Sequence, residues 1–459
     1  MNTSLGESVD AGLKSYEYMK DSGVEWLGKI PGHWEVRKLK HWLGVNQQTL
    51  SDDTDPDYMF DYIDIGSVGT GHLVSPPQRL QFRSCPSRAR RIVRSGDTII
   101  STVRTYLKAV WYAKKVESDV IASTGFAVLT PKPSTCAQFV SYLCQNEHFT
   151  NRVTANSVGI AYPAIAETKL AAFKVVVPPL PEQKAITHFL DYATGRIERH
   201  IRAKEKLIAL LGEQKQVIIH DAVTGRFDVR TNKFHPSYKE SGIKWLGRIP
   251  ADWKVQRVKS LFRLRIEKSG SAHGRELLSV YTHIGVRPRK DLEEKGNKAS
   301  TTDDYWIVKK GDLIANKLLA WMGAIGVSHY DGVTSPAYDI LIPIANLESD
   351  YYHHLFRTKA YLQQFKQRSR GIMDMRLRLY FDQFGQILVP VPPRGYQKLI
   401  VNWYNRFSRK IGCSINEARH EIDLLREYRT RLVADVVTGK LDVREAAKAL
   451  PDDLEEANA

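Results

Sequence analysis

The chain contains itself twice, and no other feature constrains its fold as much. Residues 21–40, DSGVEWLGKIPGHWEVRKLK, align without gaps to residues 240–259, ESGIKWLGRIPADWKVQRVK, with ten of the twenty positions identical. Further pairs follow in the same order. RIVRSGDTII (91–100) answers WIVKKGDLIA (306–315), and STGFAVLTP (123–131) answers SPAYDILIP (335–343). FKVVVPPLPEQKAI (173–186) answers GQILVPVPPRGYQKLI (385–400), and VTGRFDVR (223–230) answers VTGKLDVR (437–444). The preserved order means that a whole architecture is duplicated, not one motif. Any fold for this chain is therefore two similar halves joined head to tail.

Within each half the pattern changes at a cluster of prolines. Before it lie short runs rich in β-branched and aromatic residues, such as DYIDIGSVGTG (61–71) and DTIISTV (97–103), with helical stretches such as AQFVSYLCQNEHF (137–149). These predict a mixed α/β (α+β) globule of about 150 residues in each half. After Pro178, Pro179 and Pro181, apolar residues recur seven apart at Leu190, Ile197, Leu211 and Ile218, interrupted by Lys204. The second half repeats this with Ile411, Ala418, Leu425 and Leu432, alongside Ile415, Ile422 and Val436. Sustained heptads predict long helices that pair as a coiled coil. A helix of forty residues is about 60 Å long and would overhang such a globule, so its natural partner is the matching helix of the other half. Both helices run into Val-Thr-Gly, where glycine supplies a left-handed cap.

The balance of charge points to the partner. With 67 Lys and Arg against 51 Asp and Glu, the chain carries a net charge of +16, which favours a polyanion and above all nucleic acid. No apolar run approaches the roughly 20 residues needed to cross a bilayer. The first twenty residues, MNTSLGESVDAGLKSYEYMK, lack a basic start and apolar centre, which predicts a cytoplasmic protein. Cys85, Cys136, Cys144 and Cys413 form no Cys-x-x-Cys pair, which argues against a zinc site or a disulfide framework.

Several partial catalytic motifs fail on inspection. Gly23, Gly28 and Lys29 approach a phosphate-binding loop, but Ile30 stands where a magnesium-binding hydroxyl is needed, and Ile249 does the same in the second copy. Asp53, Asp55, Asp57 and Asp64 approach a calcium loop, but Tyr58 occupies the turn position that requires glycine. Glu-x-Lys triplets begin at Glu167, Glu182, Glu213 and Glu293, too frequent for any one to mark a nuclease. GSVGTG (66–71) lacks the strand and helix of a cofactor loop. There is no Asn-Pro-Pro-aromatic tetrapeptide and no His-Glu-x-x-His. No catalytic centre or metal site is predicted.

Basic residues, by contrast, are grouped. Nine lie between Arg83 and Lys115 against the single acid Asp97, with Tyr106, Trp111 and Tyr112 interleaved, and seven lie between Arg357 and Arg378 against the single acid Asp374. Such clusters suit phosphate contact, with some arginines free for guanine edges.

The duplicated SG-x-x-WLG-x-IP-x-x-W, the GD-(T/L)-I strands, the STGFAVLTP and SPAYDILIP segments, VPPLPEQ before a long helix and VTG after it together resemble the specificity subunit of a type I restriction-modification system, over about residues 16–444. The resemblance implies two target-recognition domains, 16–180 and 235–390, each reading one part of a split double-stranded DNA target. It implies conserved helices at 181–222 and 391–437 that pair as an antiparallel coiled coil, an N-terminal extension (1–15), a linker (223–234) and a C-terminal tail (438–459). It further implies a chain without catalysis or cofactor of its own, acting with two modification subunits and two restriction (motor-nuclease) subunits. S-adenosylmethionine, ATP and magnesium belong to those partners in the family. VPPRGYQ departs from the family's Pro-Leu-Pro-x-Glu-Gln, so the second helix is expected to dock differently.

The residues expected to contact DNA are Arg88, Arg90, Arg91, Arg104 and Lys108 in the first domain, and Lys317, Arg368, Arg370, Arg376 and Arg378 in the second. Arg104 and Lys317 follow the GD-(T/L)-I strand, where a loop could enter a groove. Two other readings fit the sequence: a stand-alone methyltransferase or nuclease with an unrecognised site, and a DNA binder indifferent to sequence.

Overall fold

The computed structural model describes residues 13–270, 275–291, 304–371 and 377–451. The chain divides into two compact units, one built from residues up to 204 together with those from 419 onward, the other from residues 205–418.

The first unit opens with a hairpin, Met19–Asp21 against Lys29–Pro31, and then Glu35–Lys38 pairs antiparallel with Lys174–Val177. One four-stranded sheet runs in the order Gln78–Gln81, Met59–Ile63, Val120–Ser123, Ala89–Val93. The other runs Leu43–Val45, Phe126–Pro131, Thr98–Ser101, Val110–Tyr112 and is wholly antiparallel. Thr98–Ser101 is buried along its whole length, as β-branched residues in a central strand covered on both faces should be.

The second unit repeats this plan. Its hairpin is Tyr238–Glu240 with Arg248–Pro250, its closing pair Lys254–Arg257 with Leu388–Val391, and its sheet Phe262–Leu264, Tyr338–Pro343, Leu313–Asn316, Ile325–Val327. The copies diverge in the other sheet: four strands in the first unit correspond to two separate pairs, Leu278–Tyr281 with Gly285–Pro288 and Trp306–Val308 with Gly332–Thr334, in the second.

The mixed α/β architecture expected from sequence is present, and so are the long helices, Leu180–Thr224 and Arg394–Val437. In the first unit the start of the first helix runs antiparallel to the end of the second. Arg429 pairs with Glu198 and Lys204 with Glu421, so positions rise along one helix as they fall along the other. Leu190, Ile197, Ile422 and Leu432 are buried there. The polar break in the heptads at Lys204 is thus an ion pair between helices. In the second unit Lys215 lies 5.9 Å from the Tyr404 ring, and Ile411 and Ala418 are buried.

Two expected boundaries differ. The segment 223–234 is no free linker: Val223, Asp228 and Val229 are buried in the second unit, and Tyr396 donates to Asp228 at 2.8 Å. The tail is likewise packed as far as it is described. Asp442 N–H donates to Lys14 O at 2.7 Å, Val443 is buried, and the Arg444 guanidinium lies 5.1 Å over the Tyr16 ring. The two Val-Thr-Gly copies therefore do the same work in different units. Gly225 and Gly439 both have φ of +78°, and a Cβ on either would lie within 3.0 Å of Trp253 or 2.9 Å of Trp34 respectively. Backbone and space both require glycine there.

The second helix docks as the first does, contrary to expectation. Gln183 donates to Pro178 O at 2.8 Å and accepts from Cys136 N–H at 2.9 Å; Gln397 donates to Pro392 O at 2.8 Å and accepts from Glu348 N–H at 2.8 Å. The change of Glu182 to Tyr396 is absorbed one layer away. In the first unit Tyr16 donates to Glu182 and meets Trp34 edge-on at 5.7 Å; in the second, His235 takes the place of Tyr16, meeting Trp253 at 5.8 Å and Tyr396 at 5.7 Å. Each partner changed and the contact persisted.

Candidate nucleic-acid interface

The near-phosphate loop is a hairpin turn that already uses five of its N–H groups within itself. Ser22 N–H donates to Gly28 O (3.0 Å), Gly23 N–H to Asp21 Oδ1 (2.8 Å), Val24 N–H to Ser22 Oγ (3.1 Å), and Leu27 and Gly28 N–H to Val24 O (3.0 and 3.1 Å). Trp34 and Trp253 are fully buried, whereas Trp26 and Trp245 are half-buried against Phe149 and Tyr361. In the acidic loop Asp57 pairs with Arg83 at 2.8 Å, and among the described residues no three His, Cys, Asp or Glu side chains gather as a metal site.

The Gly-Asp repeats are turns that aim a loop. Asp97 N–H donates to Arg94 O (3.0 Å) while Arg94 N–H donates to Asp97 Oδ2 (2.8 Å); Asp312 and Lys309 repeat both bonds at 3.0 and 2.8 Å. Burial pushes the Asp97 carboxyl up, opposed by the Arg94 N–H bond. From each turn a buried strand leads to a short loop closed at matching points, Ser101 N–H to Ala109 O and Asn316 N–H to Ala324 O, both 2.9 Å. In the first unit this loop carries Arg104 and Lys108 in the left-handed region, at φ of 53° and 49°, on either side of a turn at Thr105–Leu107. In the second unit the matching positions are Leu319 and Gly323 around Ala320–Met322.

A second loop stands beside the first in each unit. In the first unit it follows the helix Glu147–Ala155, and Val158 and Ala164 close it by two mutual backbone bonds of 2.8 and 2.9 Å. Ile165 N–H then donates to Thr102 O at 2.8 Å. In the second unit it follows Lys359–Arg368, Arg370 and Arg378 close it by two bonds of 2.9 Å, and Leu379 N–H donates to Lys317 O at 2.8 Å. The first tip exposes Val158 (78%), Ile160 (102%) and Tyr162 (62%), with the Arg104 guanidinium 4.8 Å over the Tyr162 ring. Sequence reasoning missed this apolar tip. Its signal was a further repeat, Ser-x-Gly-Ile at 157–160 and 369–372.

The expected DNA-contacting residues of the first domain sit on two elements. Arg88, Arg90 and Arg91 lie on or beside the strand Ala89–Val93, and Arg104 and Lys108 flank the turn Thr105–Leu107. Arg88 is exposed, donating to Tyr62 OH (3.2 Å) and facing Asp64 (3.4 Å); the Tyr62 bond, then the Asp64 charge, raises its pKa. Arg90 pairs with Asp52 at 3.1 Å over the Phe82 ring. Arg91 differs from expectation: its side chain is 14% exposed and paired with Glu167, which makes it a strut. Lys108 pairs with Glu147 at 3.1 Å. Lys317 is another strut, 23% exposed, bonded to Pro336 O (3.0 Å) and Asp339 (3.2 Å). Arg368 is half-buried in the last turn of its helix. Arg370 and Arg378 come together across their bridge, both exposed, with Arg370 also paired to Asp382 at 2.6 Å. Arg376 lies outside the described residues.

A duplicated α/β frame thus presents different side chains from equivalent loops. Residues 31–207 match the sequence family described as the type I restriction modification DNA specificity domain. The match covers a stretch of the first half, including the start of its long helix. The chain is 22% identical over 227 residues to the type I restriction enzyme EcoKI specificity subunit of Escherichia coli strain K12, covering 46% of this chain and 47% of that one. It is 26% identical over 250 residues to the putative type I restriction enzyme MjaX specificity subunit of Methanocaldococcus jannaschii, covering 50% and 52%. The chain thus spans about half the length of the curated relatives it matches. Two solved structures share the fold at 19% identity. One, from work on complex assembly and conformational transition of the type I R-M system, covers 89% of this chain and 98% of its own at a TM-score of 0.68. The other, the HsdS subunit from Thermoanaerobacter tengcongensis, covers 90% and 98% at 0.52.

Proposed function

We propose that this chain is the DNA-sequence-specificity subunit of a type I restriction-modification complex. Each unit reads one part of a bipartite double-stranded target. The observation that carries this reading is the pair of closed loops on one repeated frame, Val158 with Ala164 and Arg370 with Arg378, which hold unlike side chains in like positions. A scaffold kept while its tips diverge suits two half-sites of different sequence, and the net charge of +16 suits the phosphate backbone between them.

In this reading the chain transfers nothing itself and needs no cofactor. Two modification subunits bring S-adenosylmethionine, two restriction subunits bring ATP and magnesium, and all act in the cytoplasm. The long helices set the unspecified spacer and dock these partners. The test is to map methylated adenines genome-wide in cells with and without the gene. A two-part motif that vanishes with the gene is the expected result. Methyl transfer from labelled S-adenosylmethionine to DNA by the purified chain alone would instead make it a stand-alone enzyme.

A further inference from the structure

We infer that the two units read different classes of base, the first packing Val158, Ile160 and Tyr162 on thymine methyl groups and the second aiming Arg370 and Arg378 at guanines. The inference rests on the DNA-reading function proposed above and specifies the chemistry of each half-site.

The frames are equivalent, so the difference lies in what they hold. Ser157 Oγ donates to Val153 O at 2.8 Å and Ser369 Oγ to Phe365 O at 2.7 Å, just before the two closed bridges. In the first unit the loop is further fixed by Thr105 Oγ1 and Ser157 Oγ at 2.8 Å, so its tip needs little ordering on binding. That tip exposes three large apolar side chains, one of them completely, beside a cation. Exposed apolar groups clustered beside charge mark a contact surface. In a major groove the apolar feature to meet is the thymine methyl. The Arg104 guanidinium braces the Tyr162 ring, with its charge beside the tip for the adjoining phosphates.

At the matching bridge positions the second unit has arginines in place of Val158 and Ala164. A guanidinium offers paired donors that fit guanine N7 and O6, and the ion pair of Arg370 with Asp382 is exposed and weak enough to yield to such a contact. The structure therefore assigns an A·T-leaning half-site to the first unit and a G·C-leaning one to the second.

The test begins by selecting duplexes from a random pool with the full-length chain, with Ile160→Asn and with Arg378→Gln. The expected result is a two-part motif in which the first variant relaxes one part and the second variant the other. Deoxyuridine in place of thymine removes only the methyl, and in the part governed by Ile160 it should weaken binding about 3-fold per contacted methyl. In the part governed by Arg378, 7-deazaguanine should weaken binding about 5-fold or more. Unchanged affinity with deoxyuridine, or both variants relaxing the same part, would overturn the inference while leaving sequence reading intact. If the unaltered chain selects no sequence at all, the proposed function falls with it.

Discussion

Lys108 holds a left-handed backbone, with φ of 49°, at a position where the second unit has Gly323 at φ of 100°. A side chain there costs roughly 1 kcal/mol that glycine would avoid, so the first unit retains a charge at the expense of strain. Lys108→Gly should leave the unit as stable or raise its stability by up to about 1 kcal/mol, as read from urea unfolding. The same variant should weaken DNA binding and flatten its salt slope by about one unit. A second residue-scale prediction concerns His353 and His354. Both are half-buried in the second unit, where desolvation first, then for His353 the charge of His354 and Arg357 and for His354 that of Arg357 and Lys215, depresses their pKa values, that of His354 to about 3. Unfolding returns them to about 6.5, so the unfolded state binds more protons below that pH. Stability of the second unit should therefore fall by about 1.4 kcal/mol per pH unit from His354 alone as pH drops from about 6.5 toward 3, with His353 acting in the same direction, and His354→Gln should make that fall shallower. Little of this was legible beforehand. The arginines were countable in the sequence, but which of them serve as struts depends on Glu167 and Asp339, distant residues brought close only by the fold. An exposed isoleucine at a loop tip reads, letter by letter, like any core isoleucine.

At the scale of elements, the heptads predicted a long helix of about forty residues after each proline cluster, and the helices run Leu180–Thr224 and Arg394–Val437. Periodicity and the Val-Thr-Gly ends are local signals and survive without tertiary information. The segment after the first helix read as a linker because its partner, Tyr396, lies 168 residues from Asp228 in sequence. Since each glycine cap sits under the tryptophan of one unit only, Gly439→Ala should lower the stability of the first unit by about 2 kcal/mol or more and Gly225→Ala that of the second. A protein with two resolved thermal transitions should show one move in each variant; movement of both together would mean that the caps are not unit-specific. If the helices set the spacer, adding whole turns to both should lengthen the unspecified gap of the target and leave both half-sites unchanged.

For the whole molecule, the excess of positive charge makes binding a salt-dependent event. The logarithm of affinity should fall linearly with the logarithm of salt concentration, by about 0.9 per phosphate neutralised, and flat binding across salt would contradict the electrostatic reading. The duplication was the most legible property of the sequence; the way it is closed was not, because repeats announce their likeness and not the order in which they are stitched. The first unit is completed by residues from 419 onward, including Asp442 against Lys14 and Arg444 over Tyr16. On the ribosome this means that the unit begun first is finished last. Its early strands must wait, at 5–20 residues per second, on the order of 10–40 s while residues 205–418 are made. A nascent chain can thus hold a complete second unit while its first still lacks a wall, and a chain cut short after residue 418 carries the second unit whole and the first unclosed.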